Sequence, residues 1–369
     1  MVNYKVKKRI LLFCQLPPPI HGVTMMNQYI LKNKNINFKY NVDYISLNYA
    51  KSIESVGSLN VLKILKYIKY CFHLIFVLIF KRPHLVYFTI TPCGPAFLRD
   101  SVYVFIMKLF RVRILFHLHG KGIKNYYNKP IYNLFYKISF SKENIIILSE
   151  KLQYDIADIE KYNKIYFLPN GIEQHTLKRR TNTDNFRVLF LSNLLETKGP
   201  MDLLYAAHEI IKQGYSIKFD FVGAFSDERF KNDFLNFINA NNLSSYVNYL
   251  GIKVDNEKNA VYNNSNIFVF PTYYDRECFP LSILEAMSFG LPVISTNEGA
   301  ISEIVDDNIN GFIVDKRDIQ QLVDRILFLY NNRDKLNDFG NSSLEKFKNN
   351  YSLEIFENNF KNIVDKVME

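Results

Sequence analysis

The sequence predicts an α/β protein of two domains, each a parallel sheet with helices on both faces. Three observations carry this. Short apolar runs recur along the chain and are continuous rather than alternating, as strands buried on both faces should be. Longer stretches with helical spacing separate them, and repeated β–α units imply parallel strands. The chain has 369 residues, 48% of them hydrophobic, enough for two ordinary cores.

The strand-like runs of the first half are "RILLFCQ", "HLVYFTI", "VRILFHLH", "NIIILSE" and "KIYFLPN". The first of them, Arg9 to Gln15, follows a basic start and stops at three prolines. It lacks a small-residue cleavage site, so it reads as a buried strand and not as a secretory signal. The second half carries "RVLFLSN", "IKFDFVG", "YVNYLG", "NIFVFPT", "PVIST" and "GFIV". The polar run after Pro169, "NGIEQHTLKRRTNTDN", breaks the pattern and reads as a linker. The first domain is therefore expected over 1–175 and the second over 186–350. The tail 351–369 has helical spacing with no strand after it, and is expected to pack back onto the first domain.

Charge divides the two halves. Residues 1–180 hold 28 Lys+Arg against 9 Asp+Glu, a net +19, and residues 181–369 hold 18 against 27, a net −9. A basic half suits an anionic partner: a membrane surface, nucleic acid or a phosphorylated substrate. Cys14, Cys71, Cys93 and Cys278 form no CxxC pair, which fits a reduced, cytosolic setting. "YCFHLIFVLIF", Tyr70 to Phe80, is too short to span a bilayer, which takes about 20 apolar residues. With Lys63, Lys66 and Lys69 before it and Lys81 and Arg82 after it, the Leu59–Arg82 segment reads either as a basic amphipathic helix lying on anionic lipid or as a buried crossover helix. Both hold if one face packs and the lysines snorkel outward.

Ligands of open parallel sheets bind beyond the carboxyl ends of the strands, and two such domains facing each other make a cleft. The chemistry-bearing residues do follow strands. After "IFVFPT" comes the loop "YYDRECF" with Glu277, then Pro280, suited to a first helical turn, then "LSILEAMSF" with helical spacing, closed by Gly290. Glu277 thus stands beside a helix N-terminus whose free amides point into the cleft. Glu285 occupies an apolar position of that helix and needs hydrogen-bond donors, either those of a nucleotide sugar or a Lys or backbone partner. Lys198 precedes Gly199 and Pro200 at another helix start, where its charge opposes the helix dipole and an anion would resolve the conflict. Gly223 and Gly251 directly follow strands, where a ligand can approach the backbone. Cys278, on the loop beside the helix N-terminus, is expected to be a reactive thiolate that nucleotide protects, with Cys14 and Cys71 shielded. His117 and His119 lie two apart on a strand end and share one face, too few for a metal site. His117 reads as packing, and His119, just before Gly120, as functional. No Walker loop, GxGxxG or GxSxG elbow is present.

In this order the motifs resemble a family-4 retaining glycosyltransferase, the nucleotide-sugar-dependent "glycosyltransferase group 1" type. The family's E-x7-E element matches Glu277 and Glu285, followed by "EAMSFGLPVIST", and its donor-phosphate Lys-Gly matches Lys198-Gly199. "NINGFIV", "PNGIE", "PPPIHGVTMMNQYI" and "LFHLHG" match further segments. The resemblance covers nearly the whole chain and implies two Rossmann-like domains facing a cleft, the GT-B arrangement. It implies a donor-binding set of Gly22, Asn193, Lys198, Gly223, Glu277, Cys278, Phe279, Pro280, Leu281, Ser282 and Glu285. Within that set Glu285 would hold ribose hydroxyls, Glu277 sugar hydroxyls and Lys198 the diphosphate. Gly22 would let the first domain's loop approach the phosphates. His119, beside the reacting sugar, joins Glu277 and Lys198 as a catalytic residue. No resident cofactor or metal is implied, the UDP-linked sugar being a substrate. The acceptor would be a glycan or a polyprenyl-diphosphate-linked glycan of surface polysaccharide assembly (O-antigen or capsule). The enzyme would be cytoplasmic and peripheral on the inner face of the cell membrane, with an anionic membrane surface and no nucleic acid as partner. Three positions depart from the pattern: Asn193 where an Arg is usual, Cys278 where a Gly is usual, and His21-Gly22 where two glycines are common. The rival readings are a nucleotide-sugar epimerase on the same fold and a non-catalytic basic binder of membrane or nucleic acid.

Overall fold

The computed structural model describes residues 7–49, 61–161, 163–175 and 186–369. Most of the expected linker, 176–185, and the start of the expected membrane-facing segment, Leu59 and Asn60, lie outside them. Two compact units are formed: one up to Gly171 and again over Leu353–Glu369, the other over Ile172–Ser352. Among the described residues each unit is built on one six-stranded sheet with all pairings parallel. The α/β class with two parallel-sheet, Rossmann-like units expected from the sequence is the fold observed.

The first sheet comprises β1 (Arg9–Cys14), β2 (Asn41–Ser46), β3 (Leu85–Phe88), β4 (Arg113–Leu118), β5 (Asn144–Ile147) and β6 (Lys164–Phe167), in the order β2-β1-β3-β4-β5-β6. β3 is buried throughout, and β1 and β4 everywhere but their first residue, which is why they read as continuous apolar runs. β2 was absent from the expected strands. It lies at the sheet edge, its sequence "NVDYIS" mixes polar and apolar residues, and only one of its residues is buried.

One face of this sheet, through Leu11, Phe13, Val86, Phe88, Ile114, Phe116 and Ile147, packs on the helices Val61–Phe80, Gly94–Leu109 and Pro130–Phe140. The first of these helices bears out the crossover reading and is exposed on its other side. It buries Leu74, Val77 and Leu78 as a crossover helix, yet leaves Ile64, Leu65 and Ile68 exposed along its length. Its outward face differs from the expected row of lysines: it is largely apolar, and Lys66 turns back to the Asn48 carbonyl at 3.0 Å. On the opposite face of the sheet Tyr87 meets Phe360 of the C-terminal helix Leu353–Met368, with ring centroids 5.4 Å apart at 88°. That helix is tied down further where the Asp365 carboxylate accepts from Tyr40 Oη at 2.6 Å and the Val367 carbonyl accepts from Arg113 at 2.6 Å.

The second sheet comprises β7 (Arg187–Leu191), β8 (Lys218–Val222), β9 (Val247–Tyr249), β10 (Ile267–Phe270), β11 (Val293–Thr296) and β12 (Gly311–Val314), in the order β12-β11-β10-β7-β8-β9. The chain leaves β7 towards β8 and β9, then returns to place β10 on the other side of β7. That reversal sets the position of the site described below.

Phe360→Ala is expected to destabilise the first unit by about 3–5 kcal/mol, the usual cost of deleting a fully buried phenyl ring. Urea unfolding monitored by circular dichroism would measure it. A loss under about 1 kcal/mol would show that the C-terminal helix contributes little to that unit.

Candidate active site

In an open parallel sheet the crevice for ligands lies where strand order reverses, at the carboxyl ends. In the second unit this is the gap between the loop after β7, residues 192–199, and the loop after β10, residues 271–280. The two loops are stitched together. The Tyr273 amide donates to the Thr197 carbonyl at 2.8 Å. Gly199 adopts φ +81°, and a Cβ there would stand 2.3 Å from the Pro271 carbonyl oxygen, so only glycine permits the approach. Lys198 ends the short 3₁₀ turn Glu196–Lys198, and its ammonium pairs with the Glu277 carboxylate. The Tyr274 ring lies 4.8 Å from Lys198 Nζ. Both members of the pair are nearly buried, at 14% and 10% side-chain exposure. The conflict between Lys198 and the helix dipole is therefore settled inside the protein, by Glu277, and an external anion is not required to settle it.

Pro280 caps the helix Leu281–Ser288 from outside instead of lying in its first turn as expected. No side chain caps this N-terminus and no acid lies in its first turn, while Leu281 and Ser282 remain half-buried. Its amides are thus oriented towards the crevice, the arrangement that binds phosphate. Glu285 lies one turn further in. It accepts from Tyr262 Oη at 2.9 Å and Lys258 Nζ at 2.6 Å, so its protein partners include the Lys considered for it from sequence. Each carboxylate oxygen keeps a further lone pair for a hydroxyl.

One expectation at this loop is overturned. Cys278 is buried, at 3% exposure, with Sγ 3.6 Å from the Arg276 carbonyl and its own carbonyl accepting from the Ala300 amide at 2.8 Å. The segment after β11 covers it, so it is not the accessible thiol expected of a loop beside a helix end. Cys71, expected to be shielded, is half-buried. The Phe279 ring packs on Tyr351 at 5.7 Å, which leaves only its backbone to face a ligand. Gly223 has φ +143°, and a Cβ would stand 1.8 Å from the Ser192 carbonyl. Its glycine is accounted for by the protein's own backbone. Asn193 stands exposed on the adjoining loop.

In the first unit strand order reverses between β1 and β3. Gly22 opens the helix Gly22–Lys32 and is exposed, without the positive φ that would demand glycine. Asn27 of this helix donates to the Gln15 carbonyl at 2.8 Å and to Thr89 Oγ1 at 3.2 Å, joining the loops after β1 and β3. His117 is fully buried beside Tyr87, whose hydroxyl lies 2.7 Å from Nδ1, and its ring stands 3.9 Å from that of His119. Among the described residues, Nε2 of each histidine is enclosed without a hydrogen-bond partner. Burial, and then the His21 charge, pull the His119 imidazole down to about 3, and burial lowers His117 as well. His119 is followed by a loop pinned by Asp155, whose carboxylate accepts from the amides of Gly122, Ile123 and Lys124 at 2.8, 3.1 and 3.2 Å.

Sequence reasoning missed Lys258, Tyr262 and Asp155, because each acts on a loop or helix distant in the chain and none stands in a motif. It also missed Glu298, which pairs with Lys316 at 2.6 Å beside the loop that covers Cys278. Among the described residues no three His, Cys, Asp or Glu side chains gather as a metal-ligating set.

Residues 172–346 match the family model "Glycosyl transferases group 1". Over 266 residues the chain is 30% identical to the capsular polysaccharide biosynthesis glycosyltransferase CapM of Staphylococcus aureus, covering 67% of each protein. This chain belongs to the group 1 glycosyltransferases. It is 25% identical to the poly(ribitol-phosphate) alpha-N-acetylglucosaminyltransferase of S. aureus strain COL over 56% of the chain, and spans only 41% of that protein. Its fold matches that of Anabaena Alr3699/HepE, solved with UDP and glucose, at a TM-score of 0.72 and 16% identity over 96% of this chain and 99% of that one.

A group 1 glycosyltransferase with these two histidines should be acid-sensitive in its first unit. The folded state keeps His119 neutral down to about 3, whereas an unfolded histidine takes a proton near 6.5. The unfolded chain therefore binds more protons in that window, and stability falls as pH drops through it. Melting temperature against pH should show a shallower acid limb in His117→Gln/His119→Gln than in the parent, and identical limbs would refute the assignment.

Proposed function

We propose that the chain transfers a sugar from a UDP-linked donor to a glycan or polyprenyl-diphosphate-linked glycan during surface polysaccharide assembly, with retention of anomeric configuration. The observation that carries this reading is the joining of Lys198 and Glu277 at the crevice of the second sheet, beside an uncapped helix N-terminus that also holds Glu285. Helix amides and Lys198 suit a diphosphate, Glu285 suits ribose hydroxyls, and Glu277 suits the hydroxyls of the sugar. Lys198 neutralises the charge that develops on the departing diphosphate, with no resident metal in the role. Retention is what the resemblance to the retaining type implies, and Glu277 and Glu285, each engaged by a lysine, are ill disposed to act as a general base. The similarity to a capsular polysaccharide glycosyltransferase supports the setting, and the UDP and glucose held by HepE on the same fold support the donor class.

Glu285→Gln preserves volume and a carbonyl acceptor but lacks the charge. It is expected to weaken UDP binding about ten- to a hundredfold, the range for hydrogen bonds to charged groups, with the protein still folded. Isothermal calorimetry reads it, and unchanged affinity removes Glu285 from the nucleotide.

Transfer from the UDP-sugar is expected to survive EDTA. Loss of activity in the chelator, restored by manganese, would assign the charge neutralisation to a metal and not to Lys198.

A further inference from the structure

Three neighbouring helices of the first unit, Val61–Phe80, Gly94–Leu109 and Pro130–Phe140, bury one side on a common core. They connect β2 to β3, β3 to β4 and β4 to β5, steps that all run in the same direction across the sheet. Right-handed crossovers therefore lay all three on the same face, side by side. Their outward sides should be polar, and they are not. Phe72, Phe76 and Phe80 follow one another at i, i+4 spacing and are 69%, 53% and 68% exposed. Phe105 and Leu109 continue the apolar surface on the second helix and Leu134 on the third. Single exposed apolar residues are ordinary, but a contiguous surface of them marks something that covers it.

The charge around this surface says what. Between residues 61 and 142 the sequence holds 14 Lys+Arg and one acid, Asp100. Asp100 is itself buried and bonded to Arg99 at 2.7 Å, so the outer faces of these helices present no acid. Lys69, Arg111 and Lys137 stand exposed among the apolar side chains. Near the helix ends, Arg111 and Arg113 line two cavities of about 630 and 470 Å³, the first also bordered by Lys108, Lys142 and two acids, Glu143 (paired with Lys108 at 2.8 Å) and Glu369, and the second by Phe110. A second copy of the chain is a poor occupant, because a twofold contact would set this cationic surface against itself. An acidic phospholipid leaflet meets both demands, taking aromatic side chains below its phosphates and cations at them. Among the described residues no helix is long and apolar enough to cross a membrane, so the contact is one of helices lying along the interface.

We infer that the outer face of these three helices is a membrane-seating surface that inserts Phe72, Phe76, Phe105 and Leu109 into an anionic leaflet. This surface lies in the first unit and is independent of the donor-site reading, which concerns the second.

The chain contains no tryptophan, so Phe76→Trp supplies a single tryptophan on this face, excited selectively beyond the tyrosine band, and Tyr205→Trp one on the second unit. With vesicles of phosphatidylcholine and phosphatidylglycerol, the Phe76→Trp emission should shift to the blue and be quenched by brominated lipid. Phosphatidylcholine alone should give a much smaller shift, and Tyr205→Trp none in either. In flotation assays Phe72→Ser/Phe105→Ser, with every cation kept, should lower partitioning at least about tenfold. Lys69→Glu/Arg111→Glu/Lys137→Glu should lower it roughly a hundredfold. The far-UV circular dichroism and melting temperature of each variant check folding separately from membrane seating. No blue shift on anionic vesicles overturns the inference. So does full partitioning of the phenylalanine variant, or a blue shift that grows with protein concentration in the absence of lipid, which would make this face a protein interface.

Discussion

The ion pair between Lys198 and Glu277 is the constraint on which the arrangement of the second unit's loops depends. It joins residues 79 apart in sequence across the point where strand order reverses. Burying two charges costs solvation that their attraction only partly returns, while losing one partner strands the other at about 3–5 kcal/mol. The loops after β7 and β10 are thus held in register by a contact that tolerates neither member alone. Gly199 and the Thr197–Tyr273 hydrogen bond follow from the same close approach. A donor diphosphate would share Lys198 with Glu277. On the function proposed above, the same carboxylate would face the sugar and hold the cation for the phosphates.

The fold was legible in the sequence wherever strands are buried on both faces. β1, β3, β4, β7 and β10 announce themselves because burial on both sides selects apolar residues at nearly every position, the bonded pair Tyr87 and His117 being the exceptions on β3 and β4. β2 did not, since an edge strand needs apolar residues at few positions and its Asn, Asp and Ser match a loop equally well. The site was legible as a set of positions and not as a set of bonds. Periodicity placed Glu277, Glu285 and Lys198 at strand ends and in a helix. It could not show that Lys198 and Glu277 are partners, or that Lys258 and Tyr262, on the helix Asp255–Asn264, hold Glu285. Cys278 failed for a related reason. A loop beside a helix N-terminus suggests an exposed thiol, but the segment after β11 folds over it, and no local pattern encodes that contact.

The first unit separates two tasks by the two faces of one sheet. Towards the helix Gly22–Lys32 and the C-terminal helix, polar side chains are enclosed and tightly bonded: Tyr87 links Asn27 to His117, and Asn27 in turn reaches the loops after β1 and β3. Towards the other three helices the sheet contributes an ordinary apolar core, and the unusual surface is displaced outward to the helices' solvent side. The +19 charge of residues 1–180 is read differently in this light. Charge alone would suit nucleic acid as well as lipid, since both offer phosphates. Exposed phenylalanines on the first two of these helices, and aliphatic side chains on the third, stand among those cations and discriminate between them. A duplex offers its phosphates as a hydrated backbone with no apolar depth behind them, whereas a leaflet offers hydrocarbon directly beneath. For the seating surface proposed above, the aromatic exposure, and not the net charge, is what favours lipid over nucleic acid.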